Sequence, residues 1–248
     1  MIQNEQGRSM IEMLGVLAII GVLSVGGIAG YSKAMMKHKI NQTISQISQI
    51  VVGIRTLNKN DSSEYGFLGD VFGNDEHNGL FATVSTSAEA IRIFSKTGVI
   101  PDEMWEYDDE GDYLRFVNSF DGSVIISRAT SNSFTIMMDN VPQDACISLL
   151  THDWGGPSET GFIAVAGNAG KMVNLASGCS SGSGSYNTHQ SWYGILSNGS
   201  RINTHEVSGI ACAPGVSAST ANTTPMRVDL ASSVCQEEDN NSISLQFR

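Results

Sequence analysis

The sequence predicts an α+β protein in which a long N-terminal α-helix packs on an antiparallel β-sheet. Two patterns support this fold class: apolar residues recur at helical spacing early in the chain, and short β-branched or aromatic runs separated by turn residues follow later. The chain has 248 residues and a formal charge of -11 at pH 7. This acidity argues against a basic surface that binds nucleic acid, and no nucleic-acid partner is expected.

The helix begins in a segment long enough to cross a bilayer. Residues 13–32 carry no charged side chain, and about 20 apolar residues span the hydrocarbon core of a membrane. One carboxylate, Glu12, stands at the head of this run. An acidic residue at mid-helix costs about 2.5 to 3.5 kcal/mol of insertion free energy, so Glu12 is a candidate functional residue. The alternative is a carboxylate that lies near the headgroups and reaches water.

The segment differs from an ordinary secretory signal peptide, in which a small-residue cleavage site follows the apolar stretch. Here the candidate processing site, Gly7-Arg8, precedes that stretch. Cleavage at Gly7 would leave the apolar helix on the mature protein. Three lysines, Lys33, Lys37 and Lys39, follow the span, and the positive-inside rule alone would keep them in the cytoplasm. We expect the opposite orientation, because large domains are translocated largely regardless of charge and the cysteines indicate an oxidising compartment.

The same helix is predicted to continue as an amphipathic half over residues 33–58. An apolar stripe recurs at spacings of four and three residues, with polar residues such as Gln46 between its members. The stripe consists of Ile40, Ile44, Ile47, Val51 and Ile54. We expect it to pack on a globular head formed by residues 59–248, while the half formed by residues 8–32 protrudes.

Within the head, a capping box at residues 86–89 predicts a short helix, and strands are predicted at residues 114–117, 123–128 and 133–139. Val141-Pro142 then opens a second helix that carries Cys146. The acidic run at residues 108–112 lacks the alternating ligands of a calcium loop and is interpreted as a solvated turn. No metal site, cofactor or catalytic set is predicted, since the five histidines are scattered and no nucleophile motif is present.

Four cysteines, an even number, favour disulfides in an exported domain, although the sequence alone permits three pairings. A zinc site is the alternative, but no CxxC spacing supports it. The cysteines are Cys146, Cys179, Cys212 and Cys235.

The N-terminal pattern of a glycine, four residues and a glutamate before an apolar helix resembles the class III signal of type IV pilins and pseudopilins. The resemblance implies that a prepilin peptidase cuts after Gly7, so that residues 1–7 are a leader and Arg8 becomes the new N-terminus, which is methylated in this family. It also implies that Glu12 pairs with the freed amine of Arg8 on a neighbouring subunit. An unpaired carboxylate in a dry helix bundle is costly, and this pair would remove the cost.

The head is similar to that of type IVb pilins, because a helix with a cysteine follows the strands and the last cysteine shortly precedes a terminal strand, here residues 242–247. The resemblance implies the type IV pilin fold with a disulfide-closed C-terminal region. It implies a bridge between Cys146 and Cys235, which leaves Cys179 for Cys212.

The resemblance further implies a structural subunit and no enzyme. Such a subunit enters the inner membrane as a prepilin and is polymerised with copies of itself, by the pilus assembly machinery, into an extracellular helical fibre. The fibre would serve adhesion, conjugation or motility, with a receptor on a host or recipient cell as a partner. Two other hypotheses are a minor pilin or type II secretion pseudopilin, and a membrane-anchored periplasmic enzyme or binding protein.

Overall fold

The computed structural model confirms the α+β class: a long helix packs on a sheet that is antiparallel throughout, apart from one short parallel pair at its edge. The helices are α1 (Gln6–Asn58), α2 (Ala88–Thr97), α3 (Gln143–Leu150) and α4 (Val228–Val234). The structure describes residues 6–58, 65–68, 88–130, 132–169, 171–173, 192–196, 201–204, 210–212, 222–223, 225–237 and 241–248.

The apolar stripe of α1 packs on the head as expected. Ile47, Val51 and Ile54 are buried, and the earlier members Ile40 and Ile44 are partly buried. The burial of the stripe decreases toward the N-terminus, because the head covers only the second half of α1. The division of the helix into halves at residues 8–32 and 33–58 stays a prediction.

Gln46 departs from the expectation for a polar residue between apolar ones. Its side chain is only 4% exposed. Its amide Nε2 donates to Glu103 Oε1 at 3.3 Å, and its Oε1 accepts from Ser119 Oγ at 3.3 Å. A simple polar-or-apolar pattern misses this role, because a buried amide is stable only where partners from distant segments satisfy it.

Within the described residues, eight strands form the main sheet and three form a second one. The main sheet has the order β1-β2-β3-β4-β11-β5-β9-β10, and the second has the order β6-β7-β8. The strands are β1 (Trp105–Tyr107), β2 (Tyr113–Val117), β3 (Ser123–Thr130), β4 (Ser133–Val141), β5 (Phe162–Ala169), β6 (Lys171–Val173), β7 (Trp192–Leu196), β8 (Arg201–Thr204), β9 (Ile210–Cys212), β10 (Asn222–Thr223) and β11 (Asn241–Phe247).

The centre of the main sheet is built around β11, which pairs antiparallel with both β4 and β5. The register aligns Ile126, Ile136, Leu245 and Val165 across four neighbouring strands. All four side chains belong to the buried core that includes the stripe of α1. The sheet and the helix stripe thus share one hydrophobic core.

The strand β5 was not expected, and its composition explains why. It reads Phe-Ile-Ala-Val-Ala-Gly-Asn-Ala, and alanine and glycine are depleted in strands. A Cβ at Gly167 would lie 2.6 Å from Leu150 Cδ1 and 2.8 Å from Val234 Cγ1. The small residue therefore admits α3 and α4 against the sheet, which is a tertiary requirement that a strand pattern does not show.

The base of the head is a tight turn between β2 and β3. Asn118 Oδ1 accepts hydrogen bonds from the backbone N–H groups of Phe120 and Gly122, at 2.8 and 3.1 Å. Its Nδ2 donates to the carbonyl oxygen of Asp139 at 2.8 Å, and a Cβ at Gly122 would lie 2.0 Å from that same oxygen. The turn is thereby fixed against the end of β4, and Phe120 is held beside α1.

Candidate functional site

The first half of α1 exposes its apolar side chains. The large apolar residues from Met10 to Ile28 are between 53% and 75% exposed. Among the described residues, α1 is the one helix long and apolar enough to cross a membrane, judged by length and composition, and none of its most apolar window is buried. An apolar surface of this extent needs a cover of lipid or protein.

Glu12 is the single acidic residue of α1 and lies at the start of the exposed apolar part. Its side chain is exposed. The backbone of Gly7 and Arg8 lies in the first turns of the same helix, so that the three predicted residues follow one another along a continuous helix. Among the residues that the structure describes, no element of the head covers Glu12, so a partner for its carboxylate would come from outside these residues or from water.

The predicted Cys146–Cys235 pair is a disulfide in the structure. It joins the first turn of α3 to the end of α4 across a sequence separation of 89, with a Cα–Cα distance of 5.9 Å. Both cysteines are buried. Gln143 Nε2 donates to the carbonyl oxygen of Cys235 at 3.0 Å, which adds a second link between the two helices. The bridge closes the C-terminal region immediately before β11, as the resemblance implies.

The second predicted pair is only partly visible. Cys212 ends β9, whereas Cys179 lies outside the residues that the structure describes. The pairing of Cys179 with Cys212 remains a prediction.

The acidic turn between β1 and β2 places three carboxylates near one another. Asp108, Glu110 and Asp112 are exposed, and each offers an oxygen within 4.8 Å of the others. Asp108 Oδ1 also accepts from the backbone N–H groups of Glu110 and Asp112, at 3.0 and 2.8 Å. These bonds account for the turn by themselves, and its interpretation as a solvated turn stays a prediction.

Ionisable groups with shifted pKa values in the described part of the head serve its packing. Burial raises the pKa of the Asp139 carboxyl, whose Oδ1 accepts from the Ser123 N–H at 2.6 Å. Burial lowers the pKa of His152, whose ring lies edge-on to Trp154 at 4.6 Å. Burial raises the pKa of Tyr65, against the opposing effect of the nearby Arg55 guanidinium.

These features define a class of protein: one with a long, exposed apolar helix and a disulfide-closed α+β head. Comparison with known proteins agrees with that class. A family model described as "PilS N terminal" matches residues 76–191, slightly less than half of the chain. No curated protein matches. The crystal structure of the type IVb pilin from Salmonella typhi is similar to this chain, with 14% identity, coverage of 84% of this chain and 97% of that one, and a TM-score of 0.42.

The family match agrees with the resemblance to type IV pilins that the sequence indicates. It begins well after Glu12, so it is independent of the N-terminal pattern from which the resemblance was first inferred. The chain is therefore similar to type IV pilin subunits in two separate regions, the signal-like helix and the head. Such subunits are structural rather than catalytic.

Proposed function

We propose that this chain is a structural subunit of a type IV pilus, made as a membrane-anchored precursor and assembled into a fibre by helix bundling. In this proposal residues 1–7 are a leader removed after Gly7, residues 8–58 form the anchoring and fibre-core helix, and residues 59–248 form the head. The observation that carries the proposal is the long exposed apolar face of α1 with one carboxylate at its start.

The exposed apolar face of α1 suits two environments that the helix would occupy one after the other. In the inner membrane, lipid tails cover the apolar side chains, and in the fibre the same side chains of neighbouring copies cover one another. Association of apolar helices without lipid needs close packing, and Gly15, Gly21 and Gly27 leave open space on α1, since a Cβ at each would meet nothing within 4 Å. Neighbouring helices can therefore approach α1 closely along this length.

Glu12 supports a defined stagger between copies. Within a bundle of apolar helices, a lone carboxylate is costly because it is removed from water without compensation. The freed amine at Arg8 of a neighbouring copy would supply the missing positive charge. A copy placed at another height would bury the charge unpaired, so the pair selects one axial position.

The prepilin peptidase, the pilus assembly machinery and a receptor on a target cell are partners within this proposal. The final location is an extracellular fibre, in which the head faces outward and serves adhesion, conjugation or motility. Mass spectrometry of sheared surface fibres tests the processing steps, because it reports whether the chain starts at Arg8 and whether its amine is methylated. Recovery of the chain only at trace level in fibres built from another subunit would indicate the minor-pilin alternative.

The assembly role of Glu12 is tested with Glu12→Ala. We expect normal membrane insertion but a fibre yield reduced severalfold, measured in the sheared fraction against the membrane fraction. Glu89→Ala is a matched control, since Glu89 is an exposed glutamate in the first turn of α2, on the head. Wild-type fibre yield from Glu12→Ala would remove the proposed role of the carboxylate.

A further inference from the structure

The neck of the molecule, where α1 enters the head, carries a collar of three lysines: Lys33, Lys37 and Lys39. Lys33 and Lys37 are exposed. Lys39 is half-buried, and its Nζ lies 5.8 Å from the centroid of the Phe120 ring. At about 100° per residue, the three side chains cover about 160° of the helix circumference, so they surround much of the neck.

The collar lies at a defined distance from Glu12. Residues 13–32 are uncharged, and a helix of that length measures about 30 Å, which equals the thickness of a hydrocarbon core. Lys33 therefore stands where the headgroup layer begins, and Lys37 and Lys39 follow about 6 and 9 Å further along the axis. Tyr31, which is 67% exposed, occupies the boundary position at which tyrosine is enriched in membrane proteins.

The base of the head meets α1 at the same height as the collar. Phe120, Asn140 and Pro142 line a cavity of about 320 Å³ together with Met36 and Lys39 of the helix. With the apolar segment in a bilayer, the lower surface of the head comes to rest at the outer edge of the headgroups. The collar then lies between the lipid tails and the head.

The charges of the neck differ from those of the whole chain. The chain has 14 lysines and arginines and a formal charge of -11. Three of these basic residues lie within the seven residues 33–39 that form the collar. The segments that form the base also carry carboxylates: Asp121 and Asp144 are exposed, and Asp139 is partly buried. These carboxylates would repel an anionic membrane surface, and the lysines stand between them and that surface.

We infer that the collar binds the phosphate-bearing headgroups of anionic phospholipids while the chain is anchored in the membrane before assembly. This inference rests on the proposed function. Lysine ammonium groups are compact, hydrated charges on flexible stems, which suits contact with phosphates at a membrane surface. A zwitterionic headgroup also presents a cation and gains less from the collar. The bound lipids hold the head at a fixed height above the bilayer until the subunit is withdrawn into a fibre.

Spin-labelled lipids test the inference with the full chain reconstituted in phosphatidylcholine bilayers. Electron paramagnetic resonance reports the association of spin-labelled phosphatidylglycerol relative to spin-labelled phosphatidylcholine. We expect a preference for phosphatidylglycerol that decreases with added salt, because the collar is accessible to ions. Each lysine contributes up to about fivefold to this preference.

The variant Lys33→Gln with Lys37→Gln should lose most of the preference, and both positions are exposed, so that folding is expected to be unchanged. Lys96→Gln is the matched control, since Lys96 is an exposed lysine in the last turn of α2. Equal association of the two labelled lipids with the wild-type chain, or an unchanged preference in the double variant, overturns the inference.

Resistance to alkaline extraction and the fibre yield are measured in parallel. A chain that inserts and assembles without a lipid preference overturns the collar inference alone. A chain that does not insert overturns both the collar inference and the proposed function.

Discussion

Arg55 Nη1 donates a hydrogen bond to the carbonyl oxygen of Thr160 at 2.8 Å. This contact ties the last turn of α1 to the segment that enters β5, across a sequence separation of 105 residues. The helix is therefore anchored to the head by a charged donor at its end as well as by its apolar stripe. Charge-assisted bonds of this kind are stronger than neutral ones.

The variant Arg55→Met keeps most of the aliphatic stem but removes this donor. We expect it to lower the free energy of unfolding by about 1–3 kcal/mol, because the Thr160 carbonyl loses its partner. Urea unfolding of the detergent-solubilised chain measures the change. Arg227→Met is the control: Arg227 pairs with Asp229 at the surface, where both side chains are largely exposed, and a change within about 0.5 kcal/mol is expected. Equal effects of the two variants would contradict the anchoring role of Arg55.

Gly161 stands at the same junction and has a φ of 75°. A Cβ there would lie 2.6 Å from the carbonyl oxygen of Arg248, so Gly161→Ala combines a left-handed conformation with a backbone clash. Gly111 has a φ of 85° in open space, so Gly111→Ala measures the conformational cost alone. We expect about 1–2 kcal/mol of destabilisation for Gly111→Ala and about 1–3 kcal/mol more for Gly161→Ala, from urea midpoints. A loss of stability for Gly161→Ala no larger than that for Gly111→Ala would contradict the predicted clash with the Arg248 carbonyl.

Asp139 should make the stability of the head depend on pH. Its pKa is raised above 3.8 in the folded protein, chiefly by burial, so the folded state binds a proton more tightly than the unfolded state. Its contribution to stability is therefore complete below pH 3.8 and is lost as the pH rises through the raised value. In Asp139→Asn an acceptor oxygen for the Ser123 N–H remains, but this titration is absent.

The test compares unfolding free energies of the wild type and Asp139→Asn between pH 4 and pH 7. The stability of the variant relative to the wild type should increase with pH across this range. Asp109→Asn, on the exposed acidic turn, controls for the loss of one negative charge. A constant difference between Asp139→Asn and the wild type would show that burial of the carboxyl does not govern its titration.

The disulfide between Cys146 and Cys235 closes a loop with a sequence separation of 89. Replacement of both residues by alanine should reduce the free energy of unfolding by about 4–5 kcal/mol, because the unfolded chain gains loop entropy. Because both cysteines are buried, reductant should act on the folded head slowly and on the unfolded head quickly. Urea midpoints with and without reductant measure the stabilisation, and the rate of thiol release below and above the midpoint measures the access of reductant. Identical midpoints in the two conditions would contradict a stabilising role for the bridge.

Local patterns predicted much of the fold. The stripe of α1 and the strands β2, β3 and β4 follow from periodicity, because each presents one regular apolar face. The strand β5 and the helix α4 were missed, since their small residues, such as Ala164 and Ala231, are selected by close packing with other elements. The pattern also predicts Gln46 on the polar face, because its partners Glu103 and Ser119 belong to distant segments.

Glu12 and the lysine collar could be predicted from the sequence to different extents. Glu12 is conspicuous in the sequence because an acid at the head of an apolar run is energetically unusual. In the sequence, the three lysines of the collar bear only on the predicted orientation of the apolar helix in the membrane. Its position under the head depends on the turn at Phe120 and on the end of β4 at Asn140, and no local pattern connects these segments with Lys39.

The position of β11 has a consequence for biogenesis. The strand β11 occupies the middle of the sheet, between β4 and β5, so neither neighbour can complete its ladder until residues 241–247 are in place. The head therefore acquires its native pairing only after this strand has been synthesised and is free to pair. Deletion of residues 241–247 should leave the facing edges of β4 and β5 unpaired, and open edges of this kind favour aggregation.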